Sequence, residues 1–181
     1  MSANARGEPR IEVWMRGPVP DVSALLQPVA HSLMECREEV DTKLVGVTRD
    51  ILWTEQHGAA SAGFHVRHAA GALDRLFSYA RGEQLTPEQF AFLSVERDPD
   101  WSPDSAERLI QLFDARIERA LEQVRATDEH SLMQPRVVGR AGRPSTVIGL
   151  LFHAAEHTQR HMGQFATTLK VVTRMSSAES A

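Results

Sequence analysis

Cysteine is almost absent from this chain, and its scarcity excludes several kinds of chemistry. The 181 residues include a single cysteine, Cys36. One thiol can form no disulfide within the chain and cannot supply a thiolate cage for a metal ion. This composition suits a reducing compartment, so we expect a cytoplasmic protein.

Long apolar runs and a strong excess of one charge are also missing. No apolar run approaches the roughly 18 residues that a membrane span needs, and the first ten residues are polar and broken by Pro9. The formal net charge is −4, with acids and bases interspersed, whereas a nucleic-acid-binding face is strongly basic. We therefore expect a soluble, unexported protein that acts on a small molecule, with neither a membrane nor a nucleic acid as its partner.

Apolar residues recur at helical spacing, and no convincing alternating strand pattern is present. The spacing predicts four long helices, at about residues 21–44, 61–81, 102–124 and 145–172. A chain of this length is most economically one domain. The predicted fold class is all-α, a four-helix bundle at residues 21–172, with an extended N-terminal segment at 1–20 and a disordered tail at 173–181.

Start and stop residues support these helices. Ser61 is a good N-cap and Gly82 a good stop for the second helix, whereas Ser102 followed by proline predicts the start of the third. Pro28 either kinks the first helix or lies in its first turn. Residues 136–144, rich in glycine and proline, precede the fourth helix as a loop.

The connection between the second and third helices is long. Within it, Thr86 and Gln89 fit a capping box that predicts one short helix at residues 86–90. A connection of this length can cross the bundle, so that the second and third helices run parallel. The predicted topology is up-down-down-up.

Histidines occupy the apolar stripes of two helices. His157 and His161 are four apart, which places their Cβ atoms about 5–6 Å apart on one helix face. A buried imidazole without a partner costs roughly 1–3 kcal/mol, so the pair is either bonded to neighbouring core groups or binds a metal ion. The second helix offers a third imidazole from His65 or His68, and this favours metal.

Two common metal motifs are absent. The chain has no Glu-x-x-His pair of the di-iron type, and the sequence from His157 to His161 lacks the glutamate of His-Glu-x-x-His proteases. Glu156 points about 100° away from the pair. A mononuclear three-histidine site with open positions remains, suited to Zn²⁺ or Ni²⁺, with Fe²⁺ as an alternative.

Other residues are weaker pocket candidates. Arg75 follows His68 by seven residues, about 10 Å along the same face, so it either binds an anion or pairs with Asp74 or Glu156. His153 is a pocket wall, a buried neighbour or an alternative ligand, and Gln164 is a candidate for orienting a ligand. The loop arginines Arg136, Arg140 and Arg143 either form a lid over an anionic substrate or belong to a solvated loop.

Two motifs carry a family resemblance. With Ser61-x6-His68 in the second helix and His157-x3-His161-x-Gly163-Gln164 in the fourth, the chain resembles the DinB/YfiT-like superfamily of metal-binding four-helix bundles over residues 22–172. The resemblance implies metal ligands at His68, His157 and His161, and frequently a homodimer. It also implies thiol-dependent transferase or isomerase chemistry with low-molecular-weight thiols such as mycothiol or bacillithiol.

Three hypotheses for function follow. The leading one is a metal-dependent transferase that adds a low-molecular-weight thiol to an electrophile, with the thiol pKa lowered by the metal. The second is a non-catalytic metal- or ligand-binding protein of a stress response. The third is metal-assisted hydrolysis, for which the sequence contains no well-placed general base.

Overall fold

Helices make up most of the described chain. The structure, a computed structural model, describes residues 11–179. Its elements are α1 (Gln27–Lys43), α2 (Arg49–Trp53), α3 (Ala62–Arg81), α4 (Pro87–Ser94), α5 (Ser105–Ala126), β1 (Pro135–Val138), β2 (Arg143–Thr146) and α6 (Val147–Glu179). Short 3-10 helices occur at Val13–Arg16, Ala24–Leu26 and Glu129–Ser131. The all-α prediction is therefore confirmed apart from one small hairpin.

Helix α3 begins and ends where its sequence predicts. The Ser61 hydroxyl accepts a hydrogen bond from the backbone N–H of Phe64, at 3.2 Å, and caps the first turn. Gly82 follows the last turn in the left-handed region, with φ of +81°, where a side chain would be strained. These two local signals determine where α3 begins and ends. Helix α3 carries the candidate histidines His65 and His68.

Four helices share the core. Helix α3 packs against α6 and α5, and α1 packs against the same two helices. Fully buried side chains from all four fill the space between them, among them Leu33, Leu73, Phe113, Ile117, Leu151, Met162 and Phe165. No helix within residues 11–179 has the length and apolar character of a membrane span.

Side-chain pairs give the relative directions of these helices. The ring pairs His65–His161 and His68–His157 follow opposite orders along α3 and α6, which are therefore antiparallel. The pairs of Asp74 with Arg116 and of Phe77 with Gln123 follow the same order along α3 and α5, which are therefore parallel. The connection that holds α4 thus returns the chain to the end from which α3 started.

Helix α4 has the predicted capping box and is fastened to α3. The side-chain oxygen of Gln89 accepts from the backbone N–H of Thr86, and the backbone N–H of Gln89 donates to the Thr86 hydroxyl, as the capping box requires. The Gln89 side-chain amide also donates to the Asp74 carboxylate and to the Ser78 hydroxyl, both at 2.9 Å. These bonds determine where the chain after α4 passes over α3.

Several predicted boundaries were wrong at the N-terminal half. Residues 1–10 of the predicted extended segment lie outside the described residues, but the part that is described contains a 3-10 helix at Val13–Arg16, and Val13 N–H donates to Glu35 on α1. Helix α1 begins at Gln27, not near residue 21. Pro28 lies in its first turn, because a fixed proline φ suits that position.

The start of α5 was also placed too early. The Asp100 carboxylate accepts from both the backbone N–H and the hydroxyl of Ser102, at 3.0 and 2.6 Å. This local turn takes up the Ser102 side chain that was predicted to cap the helix. The helix begins at Ser105 instead, with Asp104 at the N-cap position.

The loop predicted at residues 136–144 is in fact a short antiparallel hairpin, in which β1 pairs with β2. Gly139 and Gly142, both with positive φ, allow the turn between the strands. The strands are only four residues long and none of their residues is fully buried, so the sequence has too short a stretch to indicate a strand. After the hairpin, the Thr146 hydroxyl accepts from Gly149 N–H and starts α6.

Helix α6 continues to Glu179, well past its predicted end at residue 172. The predicted disordered tail at residues 173–181 is therefore helical up to residue 179, and the last two residues lie outside the described range. No glycine or proline interrupts residues 173–179, so nothing local ends the helix earlier.

We predict opposite effects for alanine at two helical glycines. A Cβ at Gly63 would lie 2.8 Å from the Trp53 ring, whose indole N–H donates to Ser105 in the core, whereas a Cβ at Gly163 would meet nothing within 4 Å. Gly63→Ala should lower the free energy of unfolding by about 1–3 kcal/mol through overpacking. Gly163→Ala should raise it by up to about 1 kcal/mol, because alanine favours helix. Urea unfolding of both variants measures this, and equal effects would contradict the packing of Trp53.

Candidate metal centre

Three histidines from two antiparallel helices meet at one point. His157 and His161 are one turn apart on α6, with ring centroids 4.6 Å apart. The His68 ring on α3 lies 4.6 Å from that of His161 and 5.3 Å from that of His157. One nitrogen from each ring lies within 4.8 Å of the other two. The structure thus brings together the three residues named from the sequence.

The spacing of these nitrogens suits a shared cation. The Nε2 atoms of His68 and His157 are 3.2 Å apart. Two nitrogens bound tetrahedrally to one zinc ion, at the usual bond length, are separated by about 3.3 Å. Three imidazoles and no carboxylate form the donor set found in mononuclear zinc enzymes, which keep another position open.

Burial keeps the α6 pair neutral. Desolvation first, and then the neighbouring His68, lower the pKa of His157 to about 4 and that of His161 to about 3. A histidine binds metal only through an unprotonated nitrogen. At neutral pH both side chains therefore have a lone pair available for a cation.

His65 stands beside the cluster and contacts one of its members. It is buried, and its Nδ1 lies 3.1 Å from Nδ1 of His161. Desolvation and His68 lower the pKa of His65 as well. Because Nδ1 of His161 is used by this contact, its Nε2 is the nitrogen available to a metal ion. His65 thus contacts a member of the cluster, whereas the three histidines that come together are His68, His157 and His161.

A buried glutamate that the sequence did not single out contacts His68. Glu96 is 3% exposed, and its Oε2 lies 2.7 Å from Nδ1 of His68. The other carboxylate oxygen accepts from Arg75. Glu96 lies in the irregular turn after α4, where no periodicity marks a residue as buried, so only the folded chain reveals the contact.

The structure gives Arg75 a different role from either of the two expected. Its guanidinium does not pair with Asp74 or Glu156, and it is not open to an anionic ligand. It is about nine-tenths buried against Glu96, since the turn after α4 covers this face of α3. Asp74 pairs instead with Arg116 on α5, at 2.7 Å.

The remaining pocket candidates lie at the margin of the cluster. His153 is exposed, with its ring 5.7 Å from that of His157 and its Nδ1 3.5 Å from Glu156. Glu156 also pairs with Arg160, which lowers the pKa of Glu156. Gln164 lines an open groove of about 530 Å³ together with His65 and Arg160. A ligand in this groove would contact His65, which in turn contacts His161.

The arginines of the hairpin lie far from the histidines. Arg136 donates to the backbone carbonyl of Ala80, at 2.8 Å. Ala80 is twelve residues after His68 on α3, a distance of about 18 Å along the helix axis. The expected lid of Arg136, Arg140 and Arg143 over the site is therefore wrong, because the hairpin packs at the opposite end of α3.

Comparison with known proteins gives one family match and two solved structures of similar fold. A family model described as the DinB superfamily matches residues 32–165. A solved structure of a conserved protein from Enterococcus faecalis has 18% sequence identity and a TM-score of 0.63, covering 82% of this chain and 96% of that one. A DinB-like protein from Bacillus cereus has 17% identity and a TM-score of 0.56, covering 82% and 91%. At these identities the two structures show a shared fold alone. No curated protein matches the chain significantly.

We predict that the metal-free chain loses stability as the pH falls from about 7 to about 5. The pKa values of folded His157 and His161 lie below those of an unfolded histidine, so the unfolded chain takes up protons first and is favoured. His161→Gln lacks one of these groups and should lose less stability over the same range. Urea unfolding at a series of pH values measures both, and equal losses would contradict the lowered pKa of His161.

Proposed function

This chain belongs to the DinB superfamily, and on that basis we propose that it binds one divalent metal ion through His68, His157 and His161. The observation that carries the proposal is the convergence of three imidazole nitrogens from α3 and α6 within 4.8 Å. Their contacts support it, because His68 and His161 each have their Nδ1 engaged by a neighbour outside the cluster, which leaves Nε2 as the remaining nitrogen of each ring.

The donor set indicates which metals fit. Neutral imidazoles suit Zn²⁺ and Ni²⁺, with Fe²⁺ as an alternative, whereas Mg²⁺ and Ca²⁺ prefer oxygen donors. Three protein ligands leave at least one position for a substrate or water, as in catalytic sites and unlike closed structural sites. We propose Zn²⁺ or Ni²⁺ as the resident ion.

We propose that the surrounding fold is the up-down-down-up four-helix bundle of residues 21–172. The antiparallel pairs of α3 with α6 and the parallel pairs of α3 with α5 support this topology. In such a bundle, the metal centre lies between facing helices and depends on no loop for its ligands. We also propose that two copies form a homodimer.

For the reaction, we propose transfer of a low-molecular-weight thiol to an electrophilic substrate. A cation in this position would supply Lewis acidity that lowers the pKa of a thiol ligand. The groove lined by His65, Arg160 and Gln164 supports a substrate site, because it contains polar and cationic groups and its His65 contacts His161 of the cluster. A closed, non-catalytic metal site would not need such a groove.

The carboxylates near the histidines argue against hydrolysis as the reaction. A hydrolase needs a general base that can accept a proton from water. Glu96 is buried and already accepts from His68 and Arg75, and Glu156 is paired with Arg160 on the outer face of α6. Neither is placed to take a proton from a water molecule among the three histidines, whereas a thiol with a lowered pKa needs no such base.

We predict that each of His68→Ala, His157→Ala and His161→Ala loses bound metal. A site with three protein ligands retains too few donors when one is removed. His130→Ala, which changes an exposed histidine in the 3-10 helix Glu129–Ser131, is the control and should keep the metal of the wild type. Elemental analysis of the four purified variants gives the stoichiometry. Full metal content in all three site variants would overturn the ligand assignment.

We further predict that the metal-loaded protein accelerates conjugation of a low-molecular-weight thiol to a bimane or dinitrobenzene electrophile. Mycothiol, bacillithiol and glutathione are the thiols to compare, and His68→Ala should show only the uncatalysed rate. Absence of acceleration by a protein with stoichiometric metal would contradict the transferase and favour the non-catalytic alternative.

Analytical ultracentrifugation of the same preparation should show a homodimer, and a monomer at all concentrations would contradict that proposal.

A further inference from the structure

We propose that Glu96 is a positioning residue of this centre, which holds His68 in the tautomer that presents Nε2 to the other two histidines. The inference rests on the proposed metal function, but its central claim concerns a proton on His68 and holds for the chain without metal. Four features of the described residues support it: a directional hydrogen bond, a buried arginine, a glycine in α3 and an anchored turn.

The hydrogen bond fixes the direction of the proton. A carboxylate offers only acceptor atoms, so at the 2.7 Å contact Nδ1 of His68 must donate to Glu96. A neutral imidazole has one donor and one acceptor nitrogen. With the proton on Nδ1, the lone pair is on Nε2, and this is the atom that lies 3.2 Å from Nε2 of His157.

Arg75 fixes the carboxylate in turn. Its guanidinium donates to Oε1 of Glu96, the oxygen that does not contact His68. Arginine has no acceptor, so it cannot exchange roles with the carboxylate. The side chains of Arg75 and Glu96 are 11% and 3% exposed, which leaves little water to compete for either oxygen. Arg75 can only donate to Glu96, and the Glu96 carboxylate can only accept from His68. The proton of the imidazole is therefore held on Nδ1.

Gly71 provides the room for Glu96. It lies one turn after His68 on α3, and a Cβ there would overlap Oε1 of Glu96 and lie 2.7 Å from the Phe92 ring. Glycine is the poorest helix former apart from proline, so its presence in the middle of α3 needs a reason. Close approach of the glutamate to the helix supplies that reason.

The turn that carries Glu96 is anchored on both sides. Before it, Gln89 of α4 is bonded to Asp74 and Ser78 on α3. After it, the backbone carbonyl of Asp98 accepts a hydrogen bond from Arg67, also on α3. With both ends tied to α3, the carboxylate of Glu96 has a defined position relative to His68.

Glu96→Gln tests the proposal with almost no change in volume. Because Arg75 can only donate, the glutamine oxygen should face Arg75 and its NH₂ group should face His68. Nδ1 of His68 must then accept, so the proton moves to Nε2 and the metal-facing lone pair is lost. We expect this change of tautomer in the ¹⁵N NMR spectrum of the metal-free protein. We also expect metal affinity, measured against a chelator with Zn²⁺, to fall roughly ten- to hundredfold.

The matched control is Glu118→Gln. It makes the same substitution at a glutamate on α5 whose partners are two arginines, Arg37 on α1 and Arg125 on α5. Its His68 tautomer and its affinity for Zn²⁺ should equal those of the wild type.

A second variant, Gly71→Ala, displaces Glu96 without removing any polar group, and should weaken the His68–Glu96 contact and lower the affinity for Zn²⁺, as Glu96→Gln does.

Two results would overturn the inference. One is a wild-type His68 with its proton on Nε2, and the other is a Glu96→Gln protein that retains the Nδ1–H tautomer, whatever its affinity. If the wild type binds no Zn²⁺, the proposed metal function fails, but the tautomers of the two metal-free proteins still decide whether Glu96 positions His68.

Discussion

The antiparallel packing of α3 against α6 is the contact on which the candidate site depends. One helix contributes two imidazoles on a single face, and the other contributes the third at the same level. A shift of one turn between the helices would move His68 by about 5.4 Å, beyond the spacing that a single cation can bridge. The core that fixes this register therefore also fixes the geometry of the candidate metal site, and the proposed function depends on the same packing that stabilises the fold.

The groups that contact His68 from outside the histidine cluster come from a different part of the chain. The connection between α3 and α5 crosses over α3, and its turn after α4 places Glu96 between His68 and Arg75. A buried carboxylate with one cationic partner costs desolvation energy unless its oxygens are fully bonded. Here both oxygens are bonded, and the same contacts hold the ring of His68, a proposed ligand. The crossover thus serves as both a connection and a structural part of the centre.

Local signals made much of this predictable from sequence. Ser61 and Gly82 delimit α3, Thr86 and Gln89 start α4, and the four-residue spacing of the α6 histidines puts both on one face. Each of these signals acts within a few residues, so the chain need not be folded to recognise it. The choice of His68 over His65 came from the family resemblance, and the structure places His68 with the α6 pair.

Contacts between distant residues could not be predicted in this way. Glu96 meets His68 across 28 positions, and no pattern in an irregular turn shows that it is buried. Gly71 was a usable signal, because a glycine within a helix indicates that another group approaches closely. The predicted start of α5 was wrong because Asp100 competes for the Ser102 side chain. The predicted partners of Arg75 were wrong because its actual partner, Glu96, lies in the crossover connection.

The central claim is that one cation is bound by Nε2 of His68, His157 and His161. Crystals grown with Zn²⁺ and measured on both sides of the zinc absorption edge test it most directly. The account predicts a single strong anomalous peak among the three imidazoles, about 2.0–2.1 Å from each Nε2. A peak bound to Nδ1 of these residues, a peak elsewhere on the chain, or no peak at this cluster would contradict it.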